Sequence, residues 1–333
     1  MNSIFIDHQQ CNRISQILAN LHPRVNYYGR EFLNLPVDRE TKFRAITYSV
    51  AICHQTYQLY HPVYHLYGWD YLEYVFIDLA KRKSELIDPE FIVNNSTEKI
   101  RELLSREFSH DRTPENCTLD RLDERISIMK EISRHVMSEF SGNFEKWIGS
   151  FKNLLVNHHE GFYEKMKGLE TFSDPLQKKL TFLLKLLEEA SLIRIKDPEN
   201  FIPIMDYHMQ RVMLRMGCVE IADEVLRARI IARELLSGDM GIRDACVDAF
   251  RYIAEKSGHP VTKLNDFFWS LGRSCCHEKT LCRTGKCEKI PCTFESIIHL
   301  ESHNYCPFIA VCKAFSKDEY LALWQPVVET HYY

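Results

Sequence analysis

The chain has 333 residues, 45% of them hydrophobic, with 12 glycines, 12 prolines and a formal net charge of −4 at pH 7. That is enough apolar material for one large domain or two, with no repeat or low-complexity segment, and the slightly acidic balance speaks against strong non-specific binding to nucleic acid while leaving room for a local basic face. No apolar run approaches the roughly 20 residues that span a bilayer, and the start MNSIFIDHQQCNRIS has no basic flank before an apolar core, so a soluble, intracellular, cytoplasmic protein is expected.

Residues 1–40 read as a leading helix, about Gln9 to Asn20, then a loop punctuated by Pro23 and Pro36. Asp38-Arg39-Glu40-Thr41 leads into an apolar helix, Ala45 to Tyr57, which contains Ile52-Cys53-His54-Gln55-Thr56. Residues 57–80 are dense in aromatics, most of which must be core at that density. The charged stretch 81–120, with Asn94-Asn95-Ser96 and His110 to Asn116, reads as an insertion or excursion. A helical period returns from Leu119 to about Leu155. Ser173-Asp174-Pro175 is a helix-start signal for a helix running from Leu176 to Ala190, with Lys178 and Lys179 in its first turn. With few strand signals anywhere, the fold class is all-α.

Ile202-Pro203-Ile204-Met205-Asp206 then delivers one carboxylate to the start of an amphipathic helix. Met209, Val212, Met213 and Met216 form its apolar stripe, and Arg211 and Arg215 lie a turn apart on another face. An aspartate at this point accounts for itself as an N-cap. The cysteines are distinctive too: seven of the 12 fall between Cys275 and Cys312. Clustered thiols in a chain too long to need disulfide staples read as metal or cluster ligands. Candidates are Cys276, Cys282, Cys287, Cys292, Cys306 and Cys312, and His303 stands three positions before Cys306, where a Cys-x2-Cys partner would be. The spacing suits either a [4Fe–4S] cluster or tetrahedral zinc, zinc being favoured if Cys276, Cys282, Cys287 and Cys292 form a closed knuckle. Arg273, Lys279, Arg283, Lys286 and Lys289 make the same loop a basic patch suited to phosphate contacts.

The segment Ile204-Met205-Asp206-Tyr207-His208, followed by Arg211-Val212, Arg215 and Gly217, resembles the catalytic-aspartate segment of the helix-hairpin-helix DNA glycosylases, the superfamily of endonuclease III, adenine glycosylase and 8-oxoguanine glycosylase. Further on, Phe268 to Cys276 resembles that family's approach to its first cluster ligand. Cys306-Pro307 to Cys312 resembles the last two ligands, while the middle of the loop departs from the family's spacing. Asp174-Pro175 with Lys178, Phe182 and Lys185 is similar to the lysine helix of the archaeal 8-oxoguanine glycosylase branch. The Gly-x-Gly hairpin of the larger branches is missing; Glu170 to Pro175 stands there instead.

The resemblance implies a fold of two helical lobes. One is residues 41–200 with an insertion at about 80–120; the other is 1–40 plus 201–333, carrying the cysteine loop 275–312. It also implies a [4Fe–4S] cluster, double-stranded DNA as partner, and a DNA glycosylase that extrudes a damaged, mismatched or modified base. Asp206 would stabilise the oxocarbenium-like state. Lys178, with Lys179 as its rival, would be the Schiff-base nucleophile of a bifunctional glycosylase and lyase. Gln55 would fill the gap left by the flipped base, and His208 and Arg273 would contact DNA. Two other readings remain open: a glycosidase acting on a modified nucleoside or nucleotide, like the queuosine-salvage proteins, and a non-catalytic iron–sulfur protein that binds nucleic acid.

Overall fold

The computed structural model describes residues 3–23, 30–289, 291–298 and 303–333. Among these the protein is all-α: helix accounts for 58% of residues and strand for 4%. None of the described helices is long and apolar enough to cross a membrane. The chain forms two compact units, Met1–Tyr28 with Phe201–Glu329, and Gly29–Asn200 with Thr330–Tyr333.

The unit Gly29–Asn200 is built on the helix Arg39–Ala51. It is capped by Asp38, whose carboxylate accepts the Thr41 N–H at 2.9 Å, and almost every residue from Phe43 onward is buried. The helices Trp69–Lys81, Leu122–Phe140 and Lys178–Glu189 pack on it. Residues 30–40 belong with this unit rather than the other lobe, where the sequence put them. Phe32 is buried edge-on against Trp69 at 6.3 Å, and Arg30 pairs with Glu73 and, at 3.2 Å, with Asp70. The helix expected over Ala45 to Tyr57 stops at Ala51, so Gln55 lies beyond it, in a left-handed conformation (φ 45°).

The stretch 81–120 is not a loop excursion. It folds as the helices Pro89–Asn94 and Thr97–Glu107, each with a side-chain N-cap: Asp88 accepts from Glu90, and Ser96 from Lys99. Only Ile100, Leu104 and Ser105 of the second helix are buried. Its charged residues cover the outer face, which hides the helical period in a composition-based reading.

The other unit pairs Ile4–Ile6 antiparallel with Val219–Ile221, so that Ile4 faces Ile221. Behind this short ribbon the helix His8–Ala19 packs against Met240–Ser257. The helix Tyr207–Met216 is buried along nearly its whole length and packs on Met240–Ser257 and Val261–Ser270. Gln10 ties this core together: its Nε2 donates to the Met216 and Val311 carbonyls, both at 2.7 Å. Lys313 closes the same region with ion pairs to Asp7 at 2.9 Å and Glu220 at 2.6 Å.

Candidate functional site

Asp206 is the N-cap of the helix Tyr207–Met216, and its Oδ1 accepts the Met209 N–H at 3.1 Å. It is 6% exposed, a buried carboxylate held by its own helix. The arginines that follow do not reach solvent. Arg211 donates to the Gly272 carbonyl at 2.6 Å and the Cys276 carbonyl at 3.0 Å, and also to Gln325. Arg215 donates to the Leu323 and His277 carbonyls at 2.9 and 2.8 Å, and its Nη1 lies 3.7 Å from Cys276 Sγ. Both guanidiniums stack on Trp324. Burial lowers the Arg211 pKa to about 10, still far above neutrality. The two residues therefore bind the cysteine loop to the helix that Asp206 caps, a role the helical spacing did not reveal.

His208 lies 3.2 Å from Arg211, and burial and that neighbour hold its imidazole neutral. A Cβ on Gly272 would lie 2.7 Å from the His208 carbonyl oxygen, so only glycine lets the cysteine-loop approach pass this close to the start of the helix. Arg273 stacks on Trp269 at 5.1 Å.

In the other unit, Lys178 opens the helix Lys178–Glu189. Asp174 accepts the backbone N–H of Leu176 at 3.1 Å and of Lys178 at 3.0 Å, which takes up amides that a bound phosphate would need. Neither lysine is a solvated surface group. Lys178 Nζ sits 3.6 Å from Cys53 Sγ. Lys179 Nζ donates to the Ala51 carbonyl at 2.6 Å and lies 3.2 Å from His54 Nδ1. Burial drives the Lys179 amine down to about 7 and the His54 imidazole down to about 2. Neutral His54 accepts from Lys179 and turns its Nε2 toward Glu124 at 3.0 Å. Gln55 is buried as well: its Oε1 accepts from Arg121 at 2.6 Å and its N–H donates to the Tyr333 carbonyl at 3.1 Å, so service as a wedge requires these bonds to open.

The cysteines divide into two groups. Cys275, Cys287, Cys292 and His303 bring their ligating atoms within 4.8 Å of one another and could hold a metal ion. Cys276, Cys282, Cys306 and Cys312 line an adjoining small pocket walled by Met216, Leu271, Ile309 and Leu321, which Cys275 also borders. The helix Val261–Ser270 runs into a π-turn, Leu271–Cys275, and this turn delivers the adjacent Cys275 and Cys276 to different groups. The sequence reading placed Cys276 among the ligands but not Cys275; the adjacent pair gave no signal of how it splits. Around the second pocket, burial pushes the Cys306 thiol well up and the Cys312 thiol to about 12. Backbone amides of Phe308, and of Ala314 and Phe315, donate to these two sulfurs.

Within the basic patch, Arg283 pairs with Asp318 at 2.7 Å. No protein-family model matches the chain, and no curated protein matches it.

Proposed function

We propose that the protein is a DNA glycosylase of helix-hairpin-helix type, which releases a damaged, mismatched or modified base from an extruded nucleotide. The observation that carries this reading is Asp206: a buried carboxylate capping a helix whose arginines, Arg211 and Arg215, grip the cysteine loop. A carboxylate fixed in this way can stabilise positive charge developing on the sugar as the N-glycosidic bond breaks, without reorganising at that moment. The cysteine loop follows in the order the resembled family has it.

Cys276, Cys282, Cys306 and Cys312 are the residues that would hold a [4Fe–4S] cluster. Four thiols in one apolar pocket, with amide donors to the sulfurs and the Arg215 guanidinium beside Cys276, suit a thiolate-bound cluster. Its contribution there is structural.

Lys178 is the proposed nucleophile: it opens the helix that resembles the family's lysine helix, and its Nζ is buried 3.6 Å from Cys53 Sγ. Borohydride trapping on lesion-bearing duplexes tests this: a covalent adduct forms with the wild-type protein and with Lys179→Met, and is lost in Lys178→Ala. An adduct that persists in Lys178→Ala rules Lys178 out, and base release without any adduct makes the enzyme monofunctional.

One observation favours a second reading, a glycosidase acting on a free modified nucleoside. Asp174 occupies the helix-start amides of Leu176 and Lys178, and no glycine hairpin precedes them. Release of base from nucleosides but from no duplex would select it.

A further inference from the structure

We propose that Cys275, Cys287, Cys292 and His303 form a mononuclear zinc site, a centre of its own beside the pocket lined by Cys276, Cys282, Cys306 and Cys312, which Cys275 borders. Cys275 Sγ lies 3.5 Å from Cys292 Sγ, 3.9 Å from Cys287 Sγ and 3.8 Å from His303 Nε2. Tetrahedral zinc, with bonds of about 2.3 Å to sulfur and 2.0–2.1 Å to nitrogen, holds its ligand atoms about 3.6–3.8 Å apart. A four-iron cluster keeps its thiolates roughly 6 Å apart, so this group is too tight to carry one. All four ligating atoms fall within a 4.8 Å sphere of mutual distances, as one ion requires.

The surroundings are arranged for ligation. The Phe294 and Glu295 backbone amides donate to Cys292, and the Lys289 amide to Cys287, the pattern that stabilises bound thiolates. His303 points Nε2 at the thiols, and its Nδ1 faces the Glu295 carboxylate at 3.8 Å. The carboxylate stands on the side away from the thiols, the order seen behind metal-ligating histidines, at a distance longer than a hydrogen bond. Ser274 Oγ accepts the Thr293 N–H at 3.1 Å, stitching the residue before Cys275 to the residue after Cys292. Three thiols and an imidazole with no open position define a structural site, which would tie Cys275, Cys287, Cys292 and His303 together.

The inference is independent of the glycosylase reading and of the cluster. Metal analysis of the full-length protein, purified with and without iron, tests it. The result expected is about one zinc per chain in both preparations. Cys287→Ser and His303→Ala lose the zinc and keep the iron, while Cys312→Ser loses the iron and keeps the zinc. Growth with cobalt in place of zinc gives the wild-type protein thiolate-to-cobalt charge transfer and tetrahedral d–d bands, a readout that needs no variant to fold. Three results would overturn the proposal: iron-loaded wild-type protein without zinc or cobalt uptake, zinc retained in Cys287→Ser and His303→Ala, or a Cys275–Cys292 disulfide in the native protein. Zinc present without iron would leave this centre standing and remove the cluster.

Discussion

Asp206 does two jobs at once, and they can be separated by choice of substitution. Asparagine retains an N-cap oxygen, whereas alanine removes it at a cost of about 1 kcal/mol. Asp206→Asn should therefore melt with the wild-type protein while base release falls by about 10²-fold or more; Asp206→Ala should lose both activity and stability. An Asn variant with unchanged activity assigns the residue to capping alone. The buried Lys179 makes a second prediction. Its folded-state pKa of about 7 lies below the ordinary lysine value of 10.5, so below pH 7 the fold must carry a buried charge. That cost shrinks as pH rises from 7 toward 10.5, because the unfolded chain then holds the extra proton. Neutral His54, with its pKa near 2, acts in the same direction on the acid side, destabilising the fold below pH 6.5. Thermal midpoints of wild type relative to Lys179→Met should rise between pH 7 and 9; a flat difference would mean that Lys179 is not held as described.

At the scale of elements, the coupling between the Asp206 helix and the cysteine loop is the feature to break. A methyl group at Gly272 meets the His208 carbonyl at 2.7 Å, both of them backbone positions with nothing flexible to yield. Gly272→Ala should cost about 1–3 kcal/mol and lower the bound metal, measured by thermal melts and metal content. Arg211→Met takes the Arg211 donor from the Gly272 carbonyl and leaves the Cys276 carbonyl only the longer bond, 3.4 Å, from Arg215, and should likewise shed metal. Full metal content in both variants would show that the loop holds itself. Much of this level was legible in the sequence. The capping aspartate followed by an apolar stripe marked the helix Tyr207–Met216, and Asp174-Pro175 marked the helix that begins at Lys178. The helix Thr97–Glu107 was missed because Ile100 and Leu104 are its only fully buried apolar residues among Glu98, Lys99, Arg101, Glu102, Arg106 and Glu107, although Ser96 was there as its cap. The inward turn of Arg211 and Arg215 was missed for a different reason: a charged stripe on a helix is ordinarily a solvated face, and only the loop folded over it makes it interior. The division of the thiols was equally hidden, since Cys275 and Cys276 differ by one position and are sorted by a π-turn.

At the scale of the whole molecule, the chain builds one unit from its middle and the other from its two flanks, with residues 330–333 returning to the middle unit. That return is anchored: Tyr333 is 2% exposed, its carbonyl accepts the Gln55 N–H, and the Thr330 carbonyl accepts from Arg121 at 3.0 Å. Tyr333→Ala should destabilise the unit containing Gln55 by about 3 kcal/mol, visible as faster hydrogen exchange there and unchanged exchange in the helix Tyr207–Met216. Uniform loosening of both units would contradict it. The most direct test of the central claim is release of free base by the metal-loaded protein from duplexes carrying a panel of modified and mismatched bases, run side by side with Asp206→Asn. The account predicts release from at least one duplex by the wild-type protein and its loss in a variant that is folded and metal-replete. Equal release by the two proteins, or none from any duplex with the wild type, would contradict it.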